Sequence, residues 1–199
     1  MSNSFFSYHN RIFIFAFIFI ILVCFLFTPF VISDTSFSFE QDNSYSFDIS
    51  SSGYVWPAPG YTTITSYFGK RFSPTSGASS YHKGIDIGAS KGASLIAITS
   101  GKITYTGFFG GGGYTITLTC NNIKITYCHV SPTFIVKVGD IVEKGQIIGY
   151  VGPKNVYGVK GNPYKDSNGN PTNGATTGPH LHLGVRVNGE YIDPLSLFN

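Results

Sequence analysis

The chain has 199 residues, of which 12% are charged, and a formal net charge of +3. This length accommodates one domain with a buried core plus an additional segment. The modest charge argues against a nucleic-acid-binding protein, which usually has a clustered basic face. The abundance of Gly, Tyr and Phe (24, 13 and 18 residues) favours a β-rich, turn-rich domain over helices or disorder.

The N-terminal region contains a long apolar run. Residues 12–32 are interrupted only by Thr28 and Pro29, and as a helix they span about 31 Å, close to the thickness of a bilayer core. Two interpretations stay open, an uncleaved transmembrane anchor and a secretory signal peptide cleaved near Ser33. The length of the run favours the anchor.

The charges that flank this run indicate its orientation. Arg11 precedes it, whereas residues 33–53 contain four acidic residues and no Lys or Arg. By the positive-inside rule we expect a short cytoplasmic tail at 1–11 and an extracytoplasmic location for the rest of the chain. The predicted location is therefore the cell membrane, as a single-pass protein, or the exterior if the signal is cleaved.

Residues 33–53 are rich in Ser and are typical of an extracellular tether. From residue 54 onward, short β-type runs alternate with Gly, Pro, Asn and Ser, and no long helical period is present. We therefore predict that 54–199 is one all-β domain, an antiparallel β-sandwich or partly open barrel. The predicted strands are Thr62–Tyr67, Gly101–Phe108, Tyr114–Cys120, Ile123–Val130, Gln146–Val151 and His180–Val187, with an Asn188-Gly189 hairpin after the last.

A predicted hairpin at Asn121-Asn122 separates the two cysteines of this domain. Its register places Cys120 on the face of Ile123 and Ile125, and His129 at the end of its strand is expected on that same face. Cys128 then points to the opposite face. We expect no disulfide between Cys120 and Cys128.

The strand predicted at 180–187 carries two histidines on one face. Leu181 and Leu183 alternate with His180 and His182, so the leucines share one face and the two imidazoles share the other, roughly 6.6 Å apart along the strand. This spacing allows both histidines to act on one small reactive centre.

A second candidate group lies at residues 82–86. Residues four apart in a straight strand are about 13 Å from each other, so His82 and Asp86 can share a metal only if Gly84 permits a bend. With one histidine of the later pair they form a three-ligand set that leaves the fourth position of zinc open. The other histidine of that pair is then free for proton transfer.

Taken in order, these motifs resemble the LytM or lysostaphin-type zinc endopeptidases, a family of peptidoglycan hydrolases with HxxxD and HxH motifs. The resemblance covers about residues 55–197. It rests on Trp56-Pro57, Tyr67-Phe68-Gly69-Lys70-Arg71, His82-Lys83-Gly84-Ile85-Asp86-Ile87, Tyr127-Cys128-His129, the run 138–146 and Thr177-Gly178-Pro179-His180-Leu181-His182.

The resemblance implies a lysostaphin-like fold, with His82, Asp86 and His182 as Zn²⁺ ligands. It also implies that His129 and His180 are catalytic, His180 as the base and His129, if protonated, as the group that stabilises the oxyanion or protonates the leaving amine. The implied substrate is the stem peptide or cross-bridge of peptidoglycan.

Two departures from the family pattern stand out. Cys128 replaces a smaller residue, and the polar loop Lys154–Thr177 is longer than usual and could reshape or cover the substrate cleft.

Two other functions agree with part of the sequence. A non-catalytic envelope scaffold of the same fold would normally lack part of the metal site, whereas all five site residues are present here. A lipoyl- or biotinyl-like carrier domain is suggested by the run Val138–Val151, but no modifiable lysine motif is evident and the histidines would have no role. The sequence therefore favours the zinc endopeptidase.

Overall fold

The structure is a computed structural model that describes residues 53–198. The predicted apolar segment 12–32 and nearly all of the predicted tether lie outside the described residues. Within residues 53–198, no helix is long and apolar enough to cross a membrane.

The described chain is built almost entirely from short strands, with two 3-10 turns at Gly110–Gly112 and Pro194–Leu197. The strands are β1 (Ile64–Ser66), β2 (Gly69–Lys70), β3 (Tyr81–His82), β4 (Ile85–Gly88), β5 (Ser94–Ile96), β6 (Gly101–Phe108), β7 (Tyr114–Cys120), β8 (Ile123–Cys128), β9 (Ile141–Val142), β10 (Ile147–Tyr150), β11 (His180–Val187) and β12 (Glu190–Ile192).

One large antiparallel sheet dominates the fold. Its strand order is β1-β4-β11-β8-β7-β6-β9, with β12 paired to β11, and β5 with β10 and β2 with β3 form two small two-stranded sheets. The prediction of an all-β antiparallel domain is confirmed. Leu95 of β5 and Ile148 of β10 are fully buried and belong to the same hydrophobic core as the large sheet.

The core face of the large sheet is set by alternation along its central strands. Leu181, Leu183 and Val185 of β11 are fully buried, and Leu183 lies opposite the buried Tyr127 of β8. The phenol oxygen of Tyr127 accepts a hydrogen bond of 2.9 Å from the backbone N–H of Ile98. This bond ties the segment after β5 to the sheet and leaves the opposite face of β11 for its histidines.

The predicted hairpin and the cysteines are as expected. Cys120 lies opposite Ile123 across the turn, and Asn121 in the turn has φ 51°. Cys120 and Cys128 are both buried and unbridged, which confirms the prediction. Burial raises the pKa of Cys128 to about 12, so its thiol stays protonated.

Gly84 forms the bend between β3 and β4, but not for the reason expected. Its φ lies outside the left-handed region that favours glycine. Instead, a Cβ at this position would lie 2.3 Å from the carbonyl oxygen of Leu183 and 2.9 Å from the ring of His182. Gly84 is therefore required because β11 passes directly against its backbone.

We predict that Gly84→Ala lowers the free energy of unfolding by about 2 to 3 kcal/mol, because the added methyl group forces β3–β4 away from β11. Thermal or denaturant unfolding followed by circular dichroism measures the change. Gly178→Ala is the matched control, since a Cβ there meets nothing within 4 Å and its φ is not left-handed. Equal stability of the two variants would contradict the close-approach explanation.

Candidate metal centre

Strand pairing brings three potential metal ligands to one point. Asp86 on β4 lies directly opposite His182 on β11, and His82 at the end of β3 reaches the same place across the Gly84 bend. His82 Nε2 is 2.8 Å from His182 Nδ1 and 3.1 Å from Asp86 Oδ1. His182 Nδ1 lies 2.9 Å from the same carboxylate oxygen.

These three donor atoms fit one metal ion. Two imidazole nitrogens and one carboxylate oxygen bound at about 2.0 to 2.2 Å in tetrahedral geometry stand about 3.3 Å apart, close to the observed separations. Among residues 53–198, His82, Asp86 and His182 form the one group of three or more such side chains whose donor atoms converge in this way. Three protein ligands leave one tetrahedral position open.

The atoms of these ligands that point away from the centre are held by neighbours. The Nδ1–H of His82 donates to the carbonyl oxygen of Tyr67 at 2.8 Å, which leaves the Nε2 lone pair facing the centre. Arg71 Nη1 donates to Asp86 Oδ2 at 2.9 Å and to Ser66 Oγ at 2.6 Å. Arg71 thus fixes the carboxylate so that Oδ1 is presented to the other two ligands.

His180 and His129 lie beside this group, with ring centroids 4.7 Å apart. His180 Nε2 is 3.6 Å from Asp86 Oδ1, and its Nδ1–H donates to the carbonyl oxygen of Gly178 at 2.9 Å. The centroids of His129 and His182 are 6.3 Å apart. All four histidines of the described chain therefore meet at one place.

The prediction that His129 lies on the core face of the sheet is wrong. Continued alternation along β8 would put its side chain on the core face with Ile123 and Ile125. Instead β8 ends at Cys128, and His129 adopts a left-handed backbone with φ 58°. That conformation turns the imidazole to the opposite face of the sheet, beside His180.

Asn173 holds His129 in position, and no motif in the sequence indicates this role. Its carbonyl oxygen accepts the Nδ1–H of His129 at 2.7 Å. Its side chain accepts from the backbone N–H of Tyr114 at 2.7 Å and donates to the carbonyl oxygen of Val130 at 3.0 Å. Asn173 is fully buried, so these bonds form in a water-excluded environment.

Burial controls the charges of the group. It lowers the pKa of His129 to about 3, with the nearby His180 and His182 contributing in the same direction, and it also lowers the pKa of His182. For Asp86, burial acts to raise the pKa, but hydrogen bonds from His182 and His82 outweigh it and hold the pKa well below its usual range. Neutral imidazoles around an ionised carboxylate are the protonation states that metal binding requires.

The group lies at the bottom of an open cleft of about 1040 Å³. Phe72, which is 99% exposed, and Phe109, which is 61% exposed, stand on its walls. The Gly110–Gly112 turn also lines the cleft.

The long loop Lys154–Thr177 does not cover this cleft. Of its residues, only Ala175 and Thr177 line it. The ring of Tyr164 packs against Gly77, and its hydroxyl approaches Gly111. Tyr164 of the loop therefore supports the cleft wall at Gly77 and Gly111, and the end of the loop supplies Asn173.

A three-ligand His/Asp/His centre with two further imidazoles at the base of an open cleft is the arrangement of a mononuclear metallohydrolase. The family comparison agrees. Peptidase family M23 matches residues 80–194, more than half of the chain, and the chain belongs to that family.

Curated relatives match this domain with moderate identity. The DD-carboxypeptidase/endopeptidase Mpg of Neisseria meningitidis serogroup B is 33% identical over 138 residues, which are 69% of this chain and 27% of that protein. Lysostaphin of Staphylococcus simulans is 36% identical over 110 residues, 54% of this chain and 18% of that protein. The chain thus spans about a quarter or less of the length of these relatives.

Solved structures share the fold. The catalytic domain of lysostaphin from Staphylococcus simulans, an antimicrobial peptidase, has a TM-score of 0.53 at 31% identity, covering 67% of this chain and 90% of that one. A zinc-containing peptidase from Vibrio cholerae has a TM-score of 0.55 at 27% identity, covering 71% of this chain and 39% of that one. The lysostaphin-like character of the β domain is thereby confirmed.

We predict that Asn173→Ala lowers the free energy of unfolding by about 2 to 3 kcal/mol, because two backbone groups lose their partners in a buried site. Denaturant unfolding measures the loss. Asn168→Ala is the control, since Asn168 is exposed in the same loop and should change stability by less than about 0.5 kcal/mol. An Asn173→Ala protein as stable as this control would show that the buried amide does not anchor the loop.

Proposed function

We propose that this protein is a zinc-dependent endopeptidase that hydrolyses peptide bonds in the stem peptides or cross-bridges of peptidoglycan. The observation that carries the proposal is the convergence of His82 Nε2, Asp86 Oδ1 and His182 Nδ1 beside two imidazoles that are not part of the ligand set. Membership of Peptidase family M23 supports the same reaction class. The named activities of the relatives support a peptide bond as the target.

The proposed metal has a chemical role distinct from the roles of His180 and His129. Zinc held by His82, Asp86 and His182 supplies Lewis acidity that polarises the scissile carbonyl and activates water. We choose zinc because two nitrogens and one oxygen in a three-ligand set with an open position suit this ion, and because a structural relative is described as a zinc-containing peptidase.

His180 is positioned for proton transfer. Its Nδ1–H is engaged by the carbonyl oxygen of Gly178, so the neutral ring presents the Nε2 lone pair toward the ligand group. In this position His180 accepts a proton from the attacking water and then delivers it to the leaving amine.

His129 has a different electrostatic environment. Its burial keeps the imidazole neutral at neutral pH, and the Nδ1–H donates to Asn173. Its Nε2 therefore accepts a hydrogen bond and orients the attacking water. A cationic His129 that stabilises an oxyanion, the role implied by the resemblance, would have to overcome this burial.

A non-catalytic scaffold of the same fold is the second candidate. The complete ligand group and the separately fixed His129 and His180 disfavour it, because a scaffold requires none of these arrangements. Zinc-replete protein that hydrolyses none of several wall types would favour the scaffold.

We predict that His182→Ala abolishes both the stoichiometric binding of zinc and the hydrolysis of cell walls, because one of the three metal ligands is lost. His180→Ala should retain zinc and lose hydrolysis by at least about 100-fold, because only proton transfer is removed. Elemental analysis of the purified protein and dye release from labelled peptidoglycan measure the two properties. Full hydrolysis by His182→Ala would refute the ligand assignment.

We also propose that residues 12–32 place the domain outside the cytoplasm, where peptidoglycan lies, either as an anchor or as a cleaved signal. The support is the length of the apolar run and the charge difference across it.

Two measurements on cells test this location. On a blot, a membrane-bound product of full-length size indicates the anchor, and a shorter product in the medium indicates cleavage. Protease added to spheroplasts should digest the domain in the anchored case. A full-length product that is protected in intact spheroplasts would contradict the proposed orientation.

A further inference from the structure

The face of the sheet that carries the metal centre also carries a row of basic residues. Arg186 on β11 lies directly opposite Lys124 on β8 and directly opposite Tyr191 on β12. Residues paired in this way share one face of the sheet. Arg186 lies four residues beyond His182 on the same strand, so it shares the face of the histidines.

Lys83 joins this row through the ring of Tyr191. Its Nζ lies 5.2 Å from the Tyr191 ring centroid, and the guanidinium carbon of Arg186 lies 4.3 Å from the same centroid. Lys83, Lys124, Arg186 and Tyr191 all line the cleft that contains the metal centre. We call these four residues the basic row.

Within the part of the chain that the structure describes, no carboxylate neutralises the charges of the basic row. Among residues 53–198, no acidic side chain forms an ion pair with Lys83, Lys124 or Arg186. Like charges directly opposite each other on a sheet are destabilising. An anion bound between Arg186 and Lys124 would offset their repulsion, so this pair favours anion binding.

The described chain satisfies the guanidinium of Arg186 only in part. One Nη2–H donates to the phenol oxygen of Tyr191, but the buried Nε–H has no partner within the described chain. A guanidinium presents five N–H donors in a planar fork that matches a carboxylate in bidentate geometry. A carboxylate ligand in the cleft would accept from the guanidinium N–H groups that face it.

The position of the basic row sets its distance from the bond that is cut. Gly184 lies between His182 and Arg186 on this face and also lines the cleft. Four residues of strand span about 13 Å, which an extended substrate covers in about three or four residues, allowing for the reach of the arginine.

We infer that the basic row is a carboxylate-binding subsite for the peptide substrate, with Arg186 as its main contact. The inference rests on the proposed function, because it places the carboxylate three or four residues from the scissile bond. The carboxylate is either the free C-terminus of a stem peptide or an acidic side chain within it.

The test compares two substrates with the full-length protein in detergent micelles. One is a cross-linked muropeptide dimer with free carboxylates, and the other is the same dimer after chemical amidation of those carboxylates. The wild-type protein should show a KM about tenfold higher for the amidated dimer at similar kcat, because a charge-assisted contact used equally in ground and transition states is lost. A third dimer, amidated only at the acidic side chain, distinguishes that source from the C-terminus.

The variant Arg186→Met keeps an apolar stem against Tyr191 and removes the charge. It should raise the KM for the free dimer about tenfold and leave the KM for the amidated dimer unchanged. Lys124→Met should act in the same direction to a smaller extent and replaces Arg186→Met if that protein does not fold. Lys91→Met is the matched control, because Lys91 is exposed and does not line the cleft.

Calorimetric binding of both dimers to the His180→Ala protein separates this inference from the proposed function. Tighter binding of the free dimer without cleavage by the wild-type protein would support the subsite and overturn the proposed activity. Cleavage of both dimers with equal KM, or equal binding of the two, would overturn the subsite and leave the activity in place.

Discussion

The antiparallel pairing of β4 with β11 is the constraint on which the site depends. It sets Asp86 opposite His182, although 96 residues separate them in sequence. The same pairing buries Ile85 and Ile87 against the opposite face. Because side chains alternate with a period of two, a slip of β11 by one residue against β4 would exchange the core and metal-binding faces of β11. The hydrophobic core therefore maintains the register that the metal centre requires.

Three of the four histidines at the centre have one ring nitrogen fixed by a backbone carbonyl. Tyr67 fixes His82, Asn173 fixes His129 and Gly178 fixes His180. Because the carbonyl oxygen accepts the Nδ1–H, each neutral ring presents an Nε2 lone pair. His182 differs, since it presents Nδ1 and its ring packs against the Gly84 backbone. The fold thus determines tautomers as well as positions.

Alternation in the sequence predicted the long strands and the two faces of β11. The bounds of β6, β7 and β11 agree with their predicted ranges, because each has seven or eight residues in which the apolar period is visible. Strands of two or three residues, such as β2, β5 and β9, are too short to show a period. Their pairing depends on contacts with distant parts of the chain.

The residues of the candidate site likewise include some that the sequence predicted and some that it did not. His180 and His182 followed from alternation, and Asp86 followed from a bend that a glycine permits. His129 was correctly predicted to join the other histidines, but its side chain was predicted on the core face of the sheet. The alternation ends at His129 because its own backbone is left-handed. Arg71 and Asn173 act through hydrogen bonds to residues 15 and 44 positions away, and such contacts leave no periodic trace in the sequence.

The electrostatics of the cleft are also divided between two regions. Near the centre, burial keeps His129 and His182 neutral and the single carboxylate of Asp86 supplies negative charge. Farther along β11, Arg186, Lys124 and Lys83 supply positive charge. A bound cation at the centre would repel these positive groups, but about 13 Å of strand and an open, water-filled cleft screen that repulsion. The two regions can therefore coexist on one sheet face and act on different parts of the same extended ligand.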